Sequence, residues 1–220
     1  MTFLQQITRV GELINQAVTD DTKTVTLTEV KANLNIGYLK CVNALIATNE
    51  DYYLRLAKAD LVASQATYSL PNDARKLKRL EVGYESSAIR YRATKLDRDH
   101  KTDPQTSYGT NAPAYFLLGD QIELDPVPSG AVTDGLWLWY VEDQAELSDD
   151  ADVPALPTGY HYIPVLYAVA KAKQRLGLLN EAEGFLAEFH NDLQEMRQEV
   201  LNRVVDQFDY VKVRDMYTEV

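Results

Sequence analysis

With a single cysteine, Cys41, in 220 residues, the chain cannot form an internal disulfide, which suits a reducing compartment. No apolar run approaches the roughly 18 residues of a membrane span, so no membrane partner is expected. The opening MTFLQQITRVGELINQ carries charge and amides within its first turns, unlike a signal peptide. Positive charge is scarce: 22 Lys and Arg stand against 33 Asp and Glu, a net charge of −11. Gripping phosphates by counterion release needs clustered cations, so the charge balance argues against a general phosphate-binding surface. An acidic wall past which DNA slides is compatible with the same number, although solubility is the commoner reason for such an excess.

Catalytic signatures are missing as well. There is no HExxH, GxSxG, GxxxxGK[ST] or GxGxxG. His100 falls in a loop, His161 at a helix start between Tyr160 and Tyr162, and His190 within a helix, so no two are neighbours in sequence. A helix-start histidine bonded to backbone is the expectation for His161. Abundant carboxylates leave a hydrolytic pair as the one catalytic alternative. The expectation is a protein that is not an enzyme and needs no cofactor or metal.

What the chain does have is a β-rich stretch at 113–140, PAYFLLGDQIELDPVPSGAVTDGLWLWY, with helical patterns on either side. Apolar runs at 115–118 and 121–124 flank Gly119-Asp120, the arrangement of a hairpin with a two-residue turn. Pro126 and Pro128 end the second run, because neither can donate to a ladder. The run LWLWYV then forms a third strand with Leu136, Leu138 and Tyr140 on one face and Trp137, Trp139 and Val141 on the other. Both faces are apolar, so this strand is central, or one face meets another protein. Tyr115, Trp137 and Trp139 are the candidate interface residues of this module.

Before it, apolar spacing of three and four predicts an amphipathic helix over 3–18 and helical pattern over 29–61, with Thr28 as an N-cap. Asn49 and Asp51 either break that second pattern or lie within one long rod. Cys41 sits on its apolar stripe as a small buried hydrophobe. Short strands are expected near Thr67, Tyr68 and Leu70 and again from Leu77 to Val82. The stretch 75–101 is the one basic region, diluted by Glu81, Glu85, Asp97 and Asp99, and reads as a solvated or subunit-facing surface. After the third strand, 142–152 is an acidic linker without the spacing of a calcium loop.

Helical pattern resumes at Tyr160, with Pro164 in the first turn and Gly177 as a stop, and a second long helix runs over 181–205. The tail DQFDYVKVRDMYTEV mixes aromatic residues with charge and is either a frayed end or an extended arm that docks on a partner. The fold class expected is α+β: a helical bundle of long antiparallel helices with an inserted antiparallel β-module and an extended C-terminal arm. The corresponding divisions are 1–66 and 154–205 for the bundle, 67–153 for the β-module and 206–220 for the arm.

Three segments in order carry a family likeness: YSLPNDARKLKRLEV at 68–82, PAYFLLGDQIELDPVP at 113–128, and LPTGYHYIPVLYAVAKAK at 156–173, with LWLWY before the last. In this order and spacing the chain resembles the adaptor, or head-to-tail connector, proteins of short-tailed double-stranded-DNA bacteriophages. The resemblance implies a virion structural protein at the head–tail junction, assembled in the host cytoplasm. It implies a homo-oligomeric ring, a dodecamer, beneath the portal protein, through which DNA passes without sequence readout. A downstream tail or nozzle protein, and tail fibres, would be further partners. It also implies that the C-terminal arm, with Phe208, Tyr210, Lys212, Arg214 and Tyr217, docks on the portal. Another tail or baseplate component carrying a similar β-module is the alternative structural reading.

Overall fold

The computed structural model describes residues 1–97 and 108–205. His100 and the proposed arm residues Phe208, Tyr210, Lys212, Arg214 and Tyr217 lie outside the described residues. The chain divides into two compact units, one of Met1–Glu50 with the described part of Gln144–Val220, the other of Asp51–Asp143.

The first unit holds the helices α1 (Phe3–Leu13), α2 (Leu27–Thr48), α3 (Ile163–Arg175) and α4 (Leu179–Val205). α1 opens with a capping box in which the Thr2 hydroxyl accepts from the Gln5 N–H and the Gln5 side chain accepts from the Thr2 N–H. Phe3, Ile7 and Val10 form its buried stripe. The helix ends at Leu13 instead of running to Val18, because Asn15 takes φ 54°, a left-handed conformation that asparagine tolerates better than most residues. α2 is capped by Thr26, not Thr28; Glu29 is then three residues on and closes the box from its N3 position. Asn49 ends it in an extended conformation, at φ −142° and ψ 102°.

α3 packs against α1, α2 and α4. Its approach to α2 depends on Gly37: a β-carbon there would meet the Tyr167 Cβ at 3.0 Å and the Pro164 carbonyl at 3.1 Å. Pro164 occupies the first turn of α3, where its missing N–H costs nothing. At the other end the Gly177 N–H donates to the Gln174 carbonyl and the Leu178 N–H to the Lys173 carbonyl, with Gly177 at φ 77°. That is a Schellman close, and it turns the chain directly into α4. Lys173, buried beside this turn, pairs with Glu181 of the first turn of α4 at 2.7 Å.

The return from the second unit is held by Asn35 of α2. Its side-chain amide donates to the Leu147 carbonyl, and its side-chain oxygen accepts from the Leu147 N–H, both at 2.9 Å in buried surroundings. One side chain thus substitutes for a strand partner and satisfies both backbone groups of a buried segment.

Among the described residues the second unit has eight strands: β1 (Leu54–Leu61), β2 (Thr67–Ser69), β3 (Ala74–Val82), β4 (Tyr91–Arg92), β5 (Thr94–Lys95), β6 (Ala114–Leu118), β7 (Gln121–Asp125) and β8 (Val132–Glu142). They form two four-stranded sheets, ordered β1-β8-β3-β4 and β2-β7-β6-β5. The hairpin around Gly119-Asp120 is present, with Leu118 opposite Gln121 and Gly119 at φ 61°, where only glycine is free of steric cost. β8 pairs antiparallel with β1 on one edge and β3 on the other. Leu136 and Leu138 of β8 join Leu61, Leu80, Val82, Tyr68, Tyr115, Ile122 and Leu124 in one core shared by the two sheets. Each such leucine or isoleucine, fully buried, stabilises by roughly 1.5–3 kcal/mol.

The expected bundle of long antiparallel helices is therefore corrected: among the described residues the chain is a mixed α+β fold of four helices and two sheets. The decisive difference is at 54–61, where Leu45, Tyr52 and Leu56 extend the helical spacing of α2 on paper. In the fold Ala57, Ala59 and Leu61 alternate inward against Leu138, Leu136 and the core, and small alanines gave that alternation little hydrophobic contrast.

Asn35→Leu strands the N–H and C=O of Leu147 without partners in a buried setting, at about 1–3 kcal/mol for each group. Urea denaturation of this variant should show a loss of about 2–6 kcal/mol; an unchanged midpoint would show that the Leu147 segment is held by something else.

Candidate functional site

The alternation of β8 places Trp137 and Trp139 on the outer face of the β1-β8-β3-β4 sheet, opposite the core face. The register then lines up their neighbours. Trp137 lies between Lys58 of β1 and Glu81 of β3, with Arg92 of β4 opposite Glu81. Trp139 lies between Leu56 of β1 and Arg79 of β3. Both indoles are half-buried.

Trp137 is fully engaged. Its indole N–H donates to the Asp134 carbonyl at 2.9 Å, the Arg90 guanidinium lies 3.6 Å from the ring centroid, and Lys58 Nζ lies 4.4 Å from it. Contacts of this kind stabilise by about 0.5–1 kcal/mol at exposed sites and more when desolvated. With two cations against the ring, it offers little surface for stacking a base. Glu81 lies almost buried between two guanidiniums, Arg79 at 2.5 Å and Arg90 at 3.4 Å, and neutralises much of their charge.

Trp139 differs. Its indole N–H is buried and has no acceptor among the described residues. Beside it opens a groove of about 330 Å³ lined by Asp51, Leu54, Lys78, Arg79, Arg92 and Trp139. Lys78 lies 3.1 Å from Asp51, while Arg92 is exposed and has no ion pair among the described residues. Donors dominate the lining, and one apolar side chain, Leu54, stands at its edge.

The other sequence candidates lie elsewhere. Tyr115 belongs to the core of the second unit, opposite Leu124, and burial pushes its phenol above the usual range. The structure thus brings the two tryptophans to one face and Tyr115 to the interior. His161 is buried: Nε2 bonds the Leu156 carbonyl at 2.9 Å, Nδ1 meets the Met1 amine at 2.9 Å, and its own carbonyl accepts from Gln6 Nε2 at 2.6 Å. It ties α1 to the start of α3, a structural placement. His190 is exposed on α4, bonded to the Leu186 carbonyl. Among the described residues no group of three or more His, Cys, Asp or Glu side chains is placed to hold a metal ion, and no helix is long and apolar enough to cross a membrane.

Within the acidic stretch, 148–153 forms an ordered turn. The Asp152 carboxylate accepts from the backbone N–H of Ser148 and of Asp149, both at 2.8 Å, and these two bonds hold its pKa below the usual carboxylate range. The backbone carbonyls of Asp150 and Asp152 accept from Leu4 and Phe3 at the start of α1. Asp149, Asp150 and Val153 remain exposed on this fixed turn.

Sequence reasoning missed the grouping of Lys58, Arg79 and Arg92 around the tryptophans. Its signal was available only in the pairing of strands: Lys58 and Trp137 are adjacent through register, not through sequence.

Compared with protein families, residues 1–209 match the model described as "SU10 adaptor protein". No curated protein matches the chain.

Burial pushes the Cys41 thiol up to about 12. At pH 8 the thiolate fraction is then about one in ten thousand, and a thiol reagent should label the folded protein at least about a hundredfold more slowly than the unfolded chain. Equal labelling rates with and without denaturant would contradict this placement.

Proposed function

We propose, from the premise that the chain belongs to the SU10 adaptor protein family of bacteriophage structural proteins, that its copies form a ring joining the portal protein to the tail. The observation that carries this reading is the family match over 1–209, which spans both units. In the ring, a dodecamer, DNA passes through a central opening during packaging and ejection without being read. The net charge of −11 supports a passive conduit, because acidic surfaces repel phosphate and keep DNA from adhering. A tail or nozzle protein and tail fibres would meet the far side, at the head–tail junction of the virion.

Portal contact is assigned to the C-terminal arm. Its composition supports that role: Phe208, Tyr210 and Tyr217 supply aromatic anchors, and Lys212 and Arg214 supply charge for register. Interfaces that depend on a few such anchors lose most of their affinity when these are removed.

Mixed with isolated portal rings, the full chain should add a ring of density at the portal's narrow end in electron micrographs. A chain ending at residue 207 should bind those rings at least about a hundredfold more weakly. Undiminished binding of the shortened chain would remove the arm from the interface. Absence of any added ring with the full chain would overturn the adaptor reading itself.

A further inference from the structure

We propose that the groove beside Trp139 receives the acidic turn 149–153 of a second copy of this chain, and so forms a contact that repeats from copy to copy. The inference rests on the ring reading above and gives it named surfaces.

The groove's chemistry defines its occupant. Lys78, Arg79 and Arg92 line it together with Trp139. The Asp51 carboxylate already pairs with Lys78, and Glu81 is committed to Arg79 and Arg90. A lining so rich in donors calls for an occupant that brings acceptors, and Leu54, exposed at the groove edge, calls for one apolar side chain with them.

The turn at 149–153 offers both. Asp149 and Asp150 are exposed carboxylates, Asp150 in a long ion pair with Lys31 at 4.0 Å, and Val153 is 54% exposed. The Asp152 bonds to Ser148 and Asp149, and the backbone bonds to Phe3 and Leu4, fix the turn before it binds. Little conformational entropy is then lost on docking. A phosphate backbone fits less well. Arg92 is the single lining cation without an ion pair among the described residues, and Trp137 is already flanked by Arg90 and Lys58. A nucleic-acid track needs several uncommitted cations and open aromatic faces.

Groove and turn are different patches of one chain, so the contact is heterologous. Such contacts propagate head to tail and close into a ring when the rotation allows.

Two single-cysteine changes test the contact. Arg92→Cys and Asp150→Cys are made in separate chains, both at exposed positions, with wild-type protein as the background for Cys41. Mixed under oxidising conditions with portal rings present, the two should cross-link to each other at least about tenfold more than either does alone. Arg92→Glu, with unchanged thermal unfolding, should weaken self-association about tenfold or more, and Asp150→Lys in the same chain should restore part of it. If Arg92→Glu assembles as wild type and the mixed cysteines do not cross-link, this contact is wrong while the ring stands. If wild-type chains form no ring with or without portal, both readings fall together. Salt-sensitive binding of a short DNA duplex that Arg92→Glu abolishes, with assembly intact, would overturn the proposal in favour of nucleic acid.

Discussion

The second unit depends on β8 being paired along both edges. Over Leu136–Val141 this 11-residue strand is paired with β1 on one side and β3 on the other, and its two faces must then find separate solutions. The inner face finds the core, where Leu136 and Leu138 meet the second sheet. The outer face is covered by cationic side chains: Lys58 of β1 and Arg90, just before β4, lie against Trp137, and Arg79 of β3 flanks Trp139. Long cationic side chains shield apolar rings while keeping their charge in water. The distinction between the two tryptophans follows. Trp137 has a hydrogen-bond acceptor and two cations, whereas Trp139 has a buried N–H with no acceptor and an open groove at its side.

The helical unit is arranged by a different device, single residues that tie distant segments. Asn35 holds Leu147 through two bonds, His161 joins the first residues of the chain to the start of α3, and Gly37 lets α2 and α3 approach. None of these is repeated or periodic. Each is a polar or small residue at a position that a pattern of apolar spacing treats as neutral, and each carries a long-range contact.

That contrast explains what could be read from the residues. Local signals were legible: Gly119-Asp120 marked a hairpin, LWLWY marked a strand, Pro164 marked a first helical turn and Gly177 a helix end. The strand at 54–61 was not, because its inward positions are Ala57 and Ala59 and its partner lies far along the chain at Val132–Glu142. As caps Thr26 and Thr28 are chemically the same; the deciding residue is Glu29, which lies at N3 only for Thr26. The cationic surround of the tryptophans was invisible for a third reason. It comes from four strands whose order, β1-β8-β3-β4, is not the order of the sequence.

The strands through which the chain enters and leaves the second unit are direct neighbours, with Leu54 opposite Val141 and the Glu142 N–H donating to the Tyr53 carbonyl. Opposed residues of an antiparallel pair lie about 5 Å apart. Once Asp51–Asp143 has folded, it acts towards the helices as a short connection rather than a long one. The entropy of bringing α2 and the Leu147 segment together is then that of closing a small loop, a cost that grows only with the logarithm of loop length. A large contact separation along the sequence becomes a small one in the folding of the helical unit, provided the sheets form first.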